Sequence, residues 1–309
     1  MTLYERKQEK RKPEDSFRGN LYVTVDTEID ADIHWVKGHP ESFSSVIYGI
    51  PQILRPLWNS NRINPIYFVS PEVLKNSRCC NVLKEEIRQG AIIGAHLHAE
   101  YIDPDGKSPC EVERQAFPCT EYSTEIEREK IQNLRELIIE KLGIEPVWYR
   151  AARFGADEDT MVSLVDLGFL YDSSYTPCIS WKSKGGPDHS AVPNGRHIVS
   201  VPDKKKPIIE YPVTIMGKRW GLFGKFLPDN WLFYQWLRPT HMTYIEQRRL
   251  LDLAKNKEIK DVVMMFHSVE IMINKSPYVR NRIMLQYYLW RLDRTLKYAD
   301  RIGYSGRIK

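Results

Sequence analysis

Residues able to do chemistry collect at the ends of apolar runs. Asp26 and Glu28 follow Leu21–Val25, and His96, His98 and Glu100 follow the run that starts at Ala91. Arg150 ends Val147–Arg150, Asp172 follows Phe169–Tyr171, and His267 follows Val262–Phe266. Acids buried beside apolar strands are costly unless a metal, a cation or water meets them. Two imidazoles and a carboxylate make a common catalytic zinc set that leaves one position open for water. Of Asp26 and Glu28, one can hold the metal while the other takes a proton from water. His267 has the place of a general acid, and Arg150 that of a cation orienting Asp26 and lowering its pKa. Each residue also has a bland reading, in which Asp26 caps a loop and His267 is a satisfied core histidine. Recurrence at several strand ends favours chemistry. His96 and His98, two positions apart, are expected to share one ion only if the backbone turns at the strand end.

The elements that position these residues alternate between strand and helix patterns. Leu21–Val25 is apolar or β-branched and reads as a buried strand. A loop over Ile29–Glu41 holds His34, Trp35 and His39, and a helix is expected over Ser42–Asn59. Pro65–Val69 reads as a strand, and Ser70 as the N-cap of one helix reaching Arg88. Strands follow at Ala91–His96, Val147–Arg150, Phe169–Tyr171, Ile208–Ile215 and Asp261–Phe266. Between them lie a long loop, Asp103–Tyr122, and helices over Thr124–Lys141, Asp157–Leu167 and Tyr244–Asn256. A helix over Val279–Ile302 closes the pattern. The alternation implies an α/β fold with a parallel sheet closed, or nearly closed, into a barrel, whose carboxyl strand ends carry the site.

The composition excludes other classes. The chain has 309 residues, 42% hydrophobic and 28% charged, which suits a globular protein. A net charge of +5 is a mild excess without the basic stripe of a nucleic-acid binder, and is compatible with an anionic substrate. Five cysteines without a CxxC pair argue against a disulfide framework or zinc ribbon, and suit a cytoplasmic setting. No run approaches a membrane span, and the first residues have no secretory pattern. Residues 1–19 read as a flexible charged arm, and 20–309 as one domain with an aromatic-basic insertion at about 215–240.

Six motifs occur in order: Asp26-Thr-Glu28-Ile-Asp30 with Trp35, Pro65-Ile-Tyr-Phe-Val-Ser-Pro-Glu-Val73, Ile93-Gly-Ala-His-Leu-His98, Arg150-Ala-Ala-Arg-Phe-Gly155, Leu167-Gly-Phe-Leu-Tyr-Asp-Ser-Ser-Tyr-Thr-Pro177 and Phe266-His-Ser268. This series resembles the NodB-homology polysaccharide deacetylases, the family-four carbohydrate esterases, in their branch with DTExD, HLH, RAxRFG and DSSxTP patterns. The resemblance implies a distorted (β/α) barrel, a divalent metal, usually zinc, and hydrolysis of an N-acetyl or similar acyl amide on a sugar. It implies Asp26 as base, Glu28 as metal carboxylate, His96 as metal histidine, His267 as acid and Arg150 as the partner of the base. Thr27 stands where better-known members have a second aspartate, and Glu100 where they have a second histidine. The third ligand is therefore His98 or Glu100. Glu100, Asp30, Trp35, Arg153, Asp172 and Tyr175 are expected to bind substrate or support the site.

The implied substrate is a sugar or glycan, such as a surface-polysaccharide precursor, with a lipid-linked form among the options. The segment Gly217–Trp236 reads either as core and lid packing or as contact with a sugar or a lipid-linked substrate at a membrane surface. Two other functions stay open. One is a different amide hydrolase, a deformylase or cyclic-amide hydrolase; the other is a catalytically silent glycan-binding barrel.

Overall fold

The computed structural model describes residues 17–38, 41–112, 117–201, 204, 206–218 and 234–308. The arm read at 1–19, apart from its end, lies outside them, as do His39 and most of the insertion at 215–240.

Strands β1 (Gly19–Thr27), β2 (Ile66–Val69), β3 (Ile92–Leu97), β4 (Trp148–Ala151), β5 (Tyr171–Asp172), β6 (His197–Val199) and β7 (Ile208–Glu210) open the chain. A separate antiparallel pair, β8 (Ile215–Lys218) and β9 (Tyr234–Trp236), follows, then β10 (Asp261–His267) and β11 (Tyr304–Ser305). The main sheet runs β10-β1-β2-β3-β4-β5-β7-β6, all parallel except β6, with β11 against the start of β1. The helices are α1 (Arg55–Asn61), α2 (Pro71–Leu74), α3 (Ser77–Arg88), α4 (Pro118–Glu121), α5 (Thr124–Leu142), α6 (Glu158–Asp166), α7 (Tyr244–Asn256) and α8 (Arg282–Ile302).

Period-two alternation decides what faces where. Leu21, Val23, Val25, Met264 and Phe266 belong to the large core shared with the helices. Tyr22, Phe68, Trp148, Tyr211 and Val263 pack together on the opposite, inner face. Continuing the inner rows toward the carboxyl ends brings Asp26, His96, Arg150 and His267 to one level. The barrel is curled but not closed by a regular ladder. The segment after β7 crosses the opening instead: Tyr211 N donates to Asp172 O at 2.8 Å, and Thr214 N donates to Val263 O at 3.1 Å. Leu237 then bridges Thr214 and Met265 through its N–H and carbonyl.

Several expected elements change form. The expected strand Ile208–Ile215 is split because Tyr211–Thr214 makes this crossing. The expected helix Ser70–Arg88 breaks between α2 and α3, where Asn76 caps α3 by accepting from Arg78 N and Cys79 N. Ser70 takes the N-cap position of α2, before Pro71, but makes no side-chain cap bond; its hydroxyl donates to Glu72 Oε1 at 2.5 Å, with Thr27 O also 3.1 Å away. The expected helix Ser42–Asn59 is π-helical over Ser45–Leu54, with Pro51 inside, before α1. Proline lacks the N–H that a tight α-turn needs, so the wider turn is accommodated there. The ends of α5 follow the sequence pattern: Ser123 accepts from Ile126 N, and Gly143 is left-handed.

Candidate active site

The strand register carries the expected base and acid. Asp26 and His267 are lateral neighbours on β1 and β10, as are His96 and Arg150 on β3 and β4. Arg150 is fully buried and donates to Asp26 Oδ1 at 2.6 Å. Its other donors reach Thr24 Oγ1, Ser173 O and Ser173 Oγ. Its guanidinium lies 4.3 Å over the Phe68 ring. Gly94 makes room for that ring, since a Cβ there would come within 2.6 Å of it. Burial alone would raise the Asp26 carboxyl; Arg150, helped by His96 and His267, outweighs it and holds Asp26 below the usual range. His267 Nε2 lies 3.9 Å from Asp26 Oδ2. On its far side, His267 Nδ1 lies 2.9 Å from Glu270 Oε1, so Nδ1–H donates to that carboxylate and Nε2 faces the cavity. Arg238 also binds Glu270. Against burial, Arg238 and His267 hold the Glu270 carboxyl down at about 2.

The other half of the floor joins Glu28, His96 and His98, whose ligand atoms lie within 4.8 Å of one another. His96 Nε2 and His98 Nε2 face Glu28 Oε1 at 3.0 and 2.9 Å. Hydrogen bonds behind the rings set the tautomers. His96 Nδ1 meets the Arg150 carbonyl at 2.9 Å, and His98 Nδ1 meets Glu100 Oε1 at 3.2 Å. Both acceptors require a proton on Nδ1, which leaves Nε2 as the ligand nitrogen. Neutral rings would then aim two lone pairs at a carboxylate, so something positive must stand between them. A proton on His98 fills that place: against burial and Lys37, Glu28 and Glu100 push His98 up to about 9. Lys37 binds the other Glu28 oxygen. Against burial, Lys37 and both histidines hold the Glu28 carboxyl well below its usual range. The donor set fits a divalent cation standing between the two Nε2 atoms and the carboxylate.

The backbone turns between His96 and His98: His98 N donates to His96 O at 3.0 Å, closing a tight three-residue turn centred on Leu97. Across that turn both rings face Glu28, the candidate ion-binding place, with His98 itself at φ −89° and ψ 91°.

The floor opens into a cavity of about 280 Å3 lined also by Trp35, Lys37, Phe117, Arg153, Phe154, Trp181 and Lys184. Trp35, Arg153 and Phe154 have φ of 68°, 56° and 62°. Such left-handed backbone in a non-glycine residue is uncommon, costs about 1–3 kcal/mol and gathers at functional sites. Trp35 sets its ring edge-on to His267 at 5.3 Å.

Other expected site residues stand behind the wall. Asp30 accepts from Ser42 Oγ, Ser44 N, Ser44 Oγ and Ser45 N, stapling the π-helical segment. Ser45 Oγ then lies 3.2 Å from Ser268 Oγ, next to His267. Asp172 accepts from Ser174 N and Oγ, while Ser174 Oγ accepts from Ala151 N. Tyr175 packs against His189 at 4.7 Å, and its N–H donates to Glu210. These three do not line the cavity. Sequence reading missed Lys37, Glu270, Arg238, Phe117, Phe154, Trp181 and Lys184. Glu270, three residues after His267, was the one within reach of a local argument, since a single helical turn brings a carboxylate back to the ring.

No family model and no curated protein matches the chain. Solved structures do. A Mycobacterium smegmatis protein named as a polysaccharide deacetylase matches at 15% identity over 94% of this chain and 85% of its own, with a TM-score of 0.54. One from Pseudomonas aeruginosa PAO1, similarly named, matches at 13% identity over 91% and 84%, with a TM-score of 0.51. The likeness is one of architecture: this chain has the (β/α)-barrel fold of those polysaccharide deacetylases.

Proposed function

We propose that the protein is a metal-dependent hydrolase that removes an N-acetyl or similar N-acyl group from a sugar or glycan, with zinc as the metal. The observation that carries this reading is the pairing of Asp26, locked on Arg150, with His267, locked on Glu270, beside the Glu28–His96–His98 set. A divalent cation held by Glu28, His96 and His98 supplies Lewis acidity toward water and an acyl oxygen. Asp26, ionised at neutral pH, takes the proton of the attacking water. His267 gives a proton from Nε2 to the departing sugar nitrogen, while Glu270 keeps its Nδ1 protonated. The C–N bond breaks, leaving a carboxylic acid and an amine. Glu100 orients His98, and Trp35 limits the room beside His267.

Asp26→Asn and His267→Ala are each expected to lower acyl release from an N-acetylated sugar at least about hundredfold, with the fold intact. Acetate assays with circular dichroism on the purified variants check this, and near-normal turnover in either removes the assignment. A panel of formyl, acetyl and cyclic-amide substrates separates the deacetylase from its two amide-hydrolase rivals. Zinc binding without acyl release from any of them would favour the silent glycan binder.

A further inference from the structure

Nine large apolar or aromatic side chains are exposed among the described residues, and five of them stand on the starts of two helices: Ile245 on α7, and Ile283, Met284, Tyr287 and Trp290 on α8. Exposed apolar residues scattered singly are ordinary; a cluster of them marks a surface that meets something. The helices hold this cluster together. The Tyr244 and Trp290 rings meet edge-on at 5.7 Å, and Trp290 stacks on Tyr287 at 5.8 Å and 17°. Farther along, Tyr298 of α8 donates to Asp252 of α7. These pairings make α7 and α8 run side by side in the same direction. Both start at the carboxyl end of the sheet, beside the cavity. Arg238, shortly before the α7 cap Thr243, binds Glu270 behind His267. Tyr278, shortly before α8, meets the cavity residue Trp35 ring to ring at 5.7 Å.

Charge is graded along the same face. One exposed stripe of α8 reads Ile283, Tyr287, Trp290, Arg294, Lys297, Arg301. It is apolar for about 10 Å from the start of the helix and cationic beyond that. α8 has five Arg or Lys against two Asp, and α7 has three Arg or Lys against two acids, so the pair is net positive. Ion pairs within the face, such as Lys297 with Asp293, leave that sum unchanged. A protein partner is ordinarily met by an apolar centre with a polar rim around it. Here the apolar and cationic ends lie one behind the other. A bilayer presents that order along its normal, with acyl chains deepest and anionic headgroups outside them, and Trp and Tyr rings favour the boundary.

We propose that the starts of α7 and α8 dock on an anionic lipid surface. Ile245, Ile283, Tyr287 and Trp290 enter the boundary between headgroups and acyl chains, roughly 5–10 Å deep, while the cations of α8 lie at headgroup level. Docking in this way turns the cavity mouth toward the lipid. The face is separate from the cavity lining, so the inference stands whether or not the protein deacylates a sugar.

The test is flotation of the full chain with vesicles of phosphatidylcholine, alone or with about a third of phosphatidylglycerol. At low salt the partition coefficient on the anionic vesicles is expected to exceed that on the neutral ones at least about tenfold. Ile283→Ser/Trp290→Ser is expected to lower it at least about tenfold. Arg294→Gln/Arg301→Gln is expected to lower it at least about fivefold, on anionic vesicles only. Ile198→Ser, at an exposed position on the edge strand β6, is expected to bind like the parent, which excludes adhesion through any exposed apolar residue. Circular dichroism checks folding. Should the apolar double variant not fold, Ile283→Ser alone, at a position 77% exposed, is expected to lose at least about threefold. No partition onto either vesicle, equal partition onto both, or folded variants of α8 that bind like the parent would overturn the docking face. So would light scattering that finds the parent a dimer and Ile283→Ser/Trp290→Ser a monomer, since the face would then belong to a second copy of the chain.

Discussion

Asp26 and Glu28 lie two residues apart, face one cavity and are equally buried, at 2% exposure each, yet they are held in opposite ways. Asp26 is neutralised by an arginine that is itself wholly buried and fixed on all sides by β1, β5 and the Phe68 ring. Glu28 is met by the His96 and His98 rings and by Lys37, a residue of a loop at the cavity edge. The first arrangement is a finished part of the fold. The second is made of positive charges that can be exchanged, which is what a metal-binding place needs. The floor of the candidate site thus combines a permanent counter-charge for the proposed base with a replaceable one for the proposed ligand.

The strongest way to break this contrast is at Arg150. Arg150→Met leaves Asp26 charged and buried, and is expected to cost about 3–5 kcal/mol in urea unfolding. Adding Asp26→Asn should restore much of the loss, and the absence of recovery would show that Arg150 acts through packing instead.

On the exchangeable side, zinc at about a hundred times its dissociation constant should stabilise the protein by about 2.7 kcal/mol, read as a rise in Tm. His98→Asn should lose most of that protection. Lys37→Met removes a competing cation and should tighten zinc in a chelator competition by roughly fivefold, on the order of 1 kcal/mol. Zinc binding unchanged in both variants would place the ion elsewhere.

Glu270→Gln tests how finished the acid side is. With a weaker partner for Nδ1–H, kcat should fall by about tenfold with little change in KM. An equal rise in KM alone would make Glu270 a substrate-side residue.

The mildest effect belongs to an acid with no cation partner among the described residues. Glu127 is buried on α5, hydrogen-bonded to Thr160; burial, with Asp157 and Asp159 adding, raises its carboxyl to about 8 from the ordinary 4.5. Its contribution to stability is complete below 4.5 and is lost as pH rises through about 8, because the folded state keeps the proton longer than the unfolded one. Glu127→Gln should therefore change Tm little at pH 5 but raise stability by about 1 kcal/mol near pH 9. A variant that is no more stable than the parent at pH 9 would show that Glu127 has a cation partner in solution.

The sheet and much of its chemistry were legible in the amino-acid pattern. Apolar runs such as Val262–Phe266 can only be buried strands, and a charged residue at each end can only sit at the rim. The same pattern brings Asp26, Glu28, His96, His98, Arg150 and His267 to one face of the barrel. What escaped depends on contacts between distant segments. Lys37 reaches Glu28 because Ala31 and Lys37 bridge and Asp32 turns the loop between them. Arg238 meets Glu270 because the crossing segment seals the open side of the barrel. The aromatic wall joins residues from α4, the turn after β4 and the loop near Trp181, and no local periodicity signals it. Asp30, Asp172 and Tyr175 were visible as polar residues at strand ends, but composition cannot distinguish a side chain facing the cavity from one bracing the loop behind it.

The neighbouring placement of β1 and β10 also sets an order of assembly. Thr24 and Met264, hydrogen-bonded across these strands, are 240 residues apart in sequence. Glu28, His96 and His98 all precede residue 100 and the carbonyl behind His96 comes with β4, so the candidate ion-binding side needs only the first four strands and their helices. His267 arrives with the last strand of the main barrel, after the costliest loop closure in the chain. On the proposed reading, a growing or partly unfolded chain can thus hold its metal before it has its acid. Cleavage competence, unlike metal content, reports that the barrel has met its own beginning.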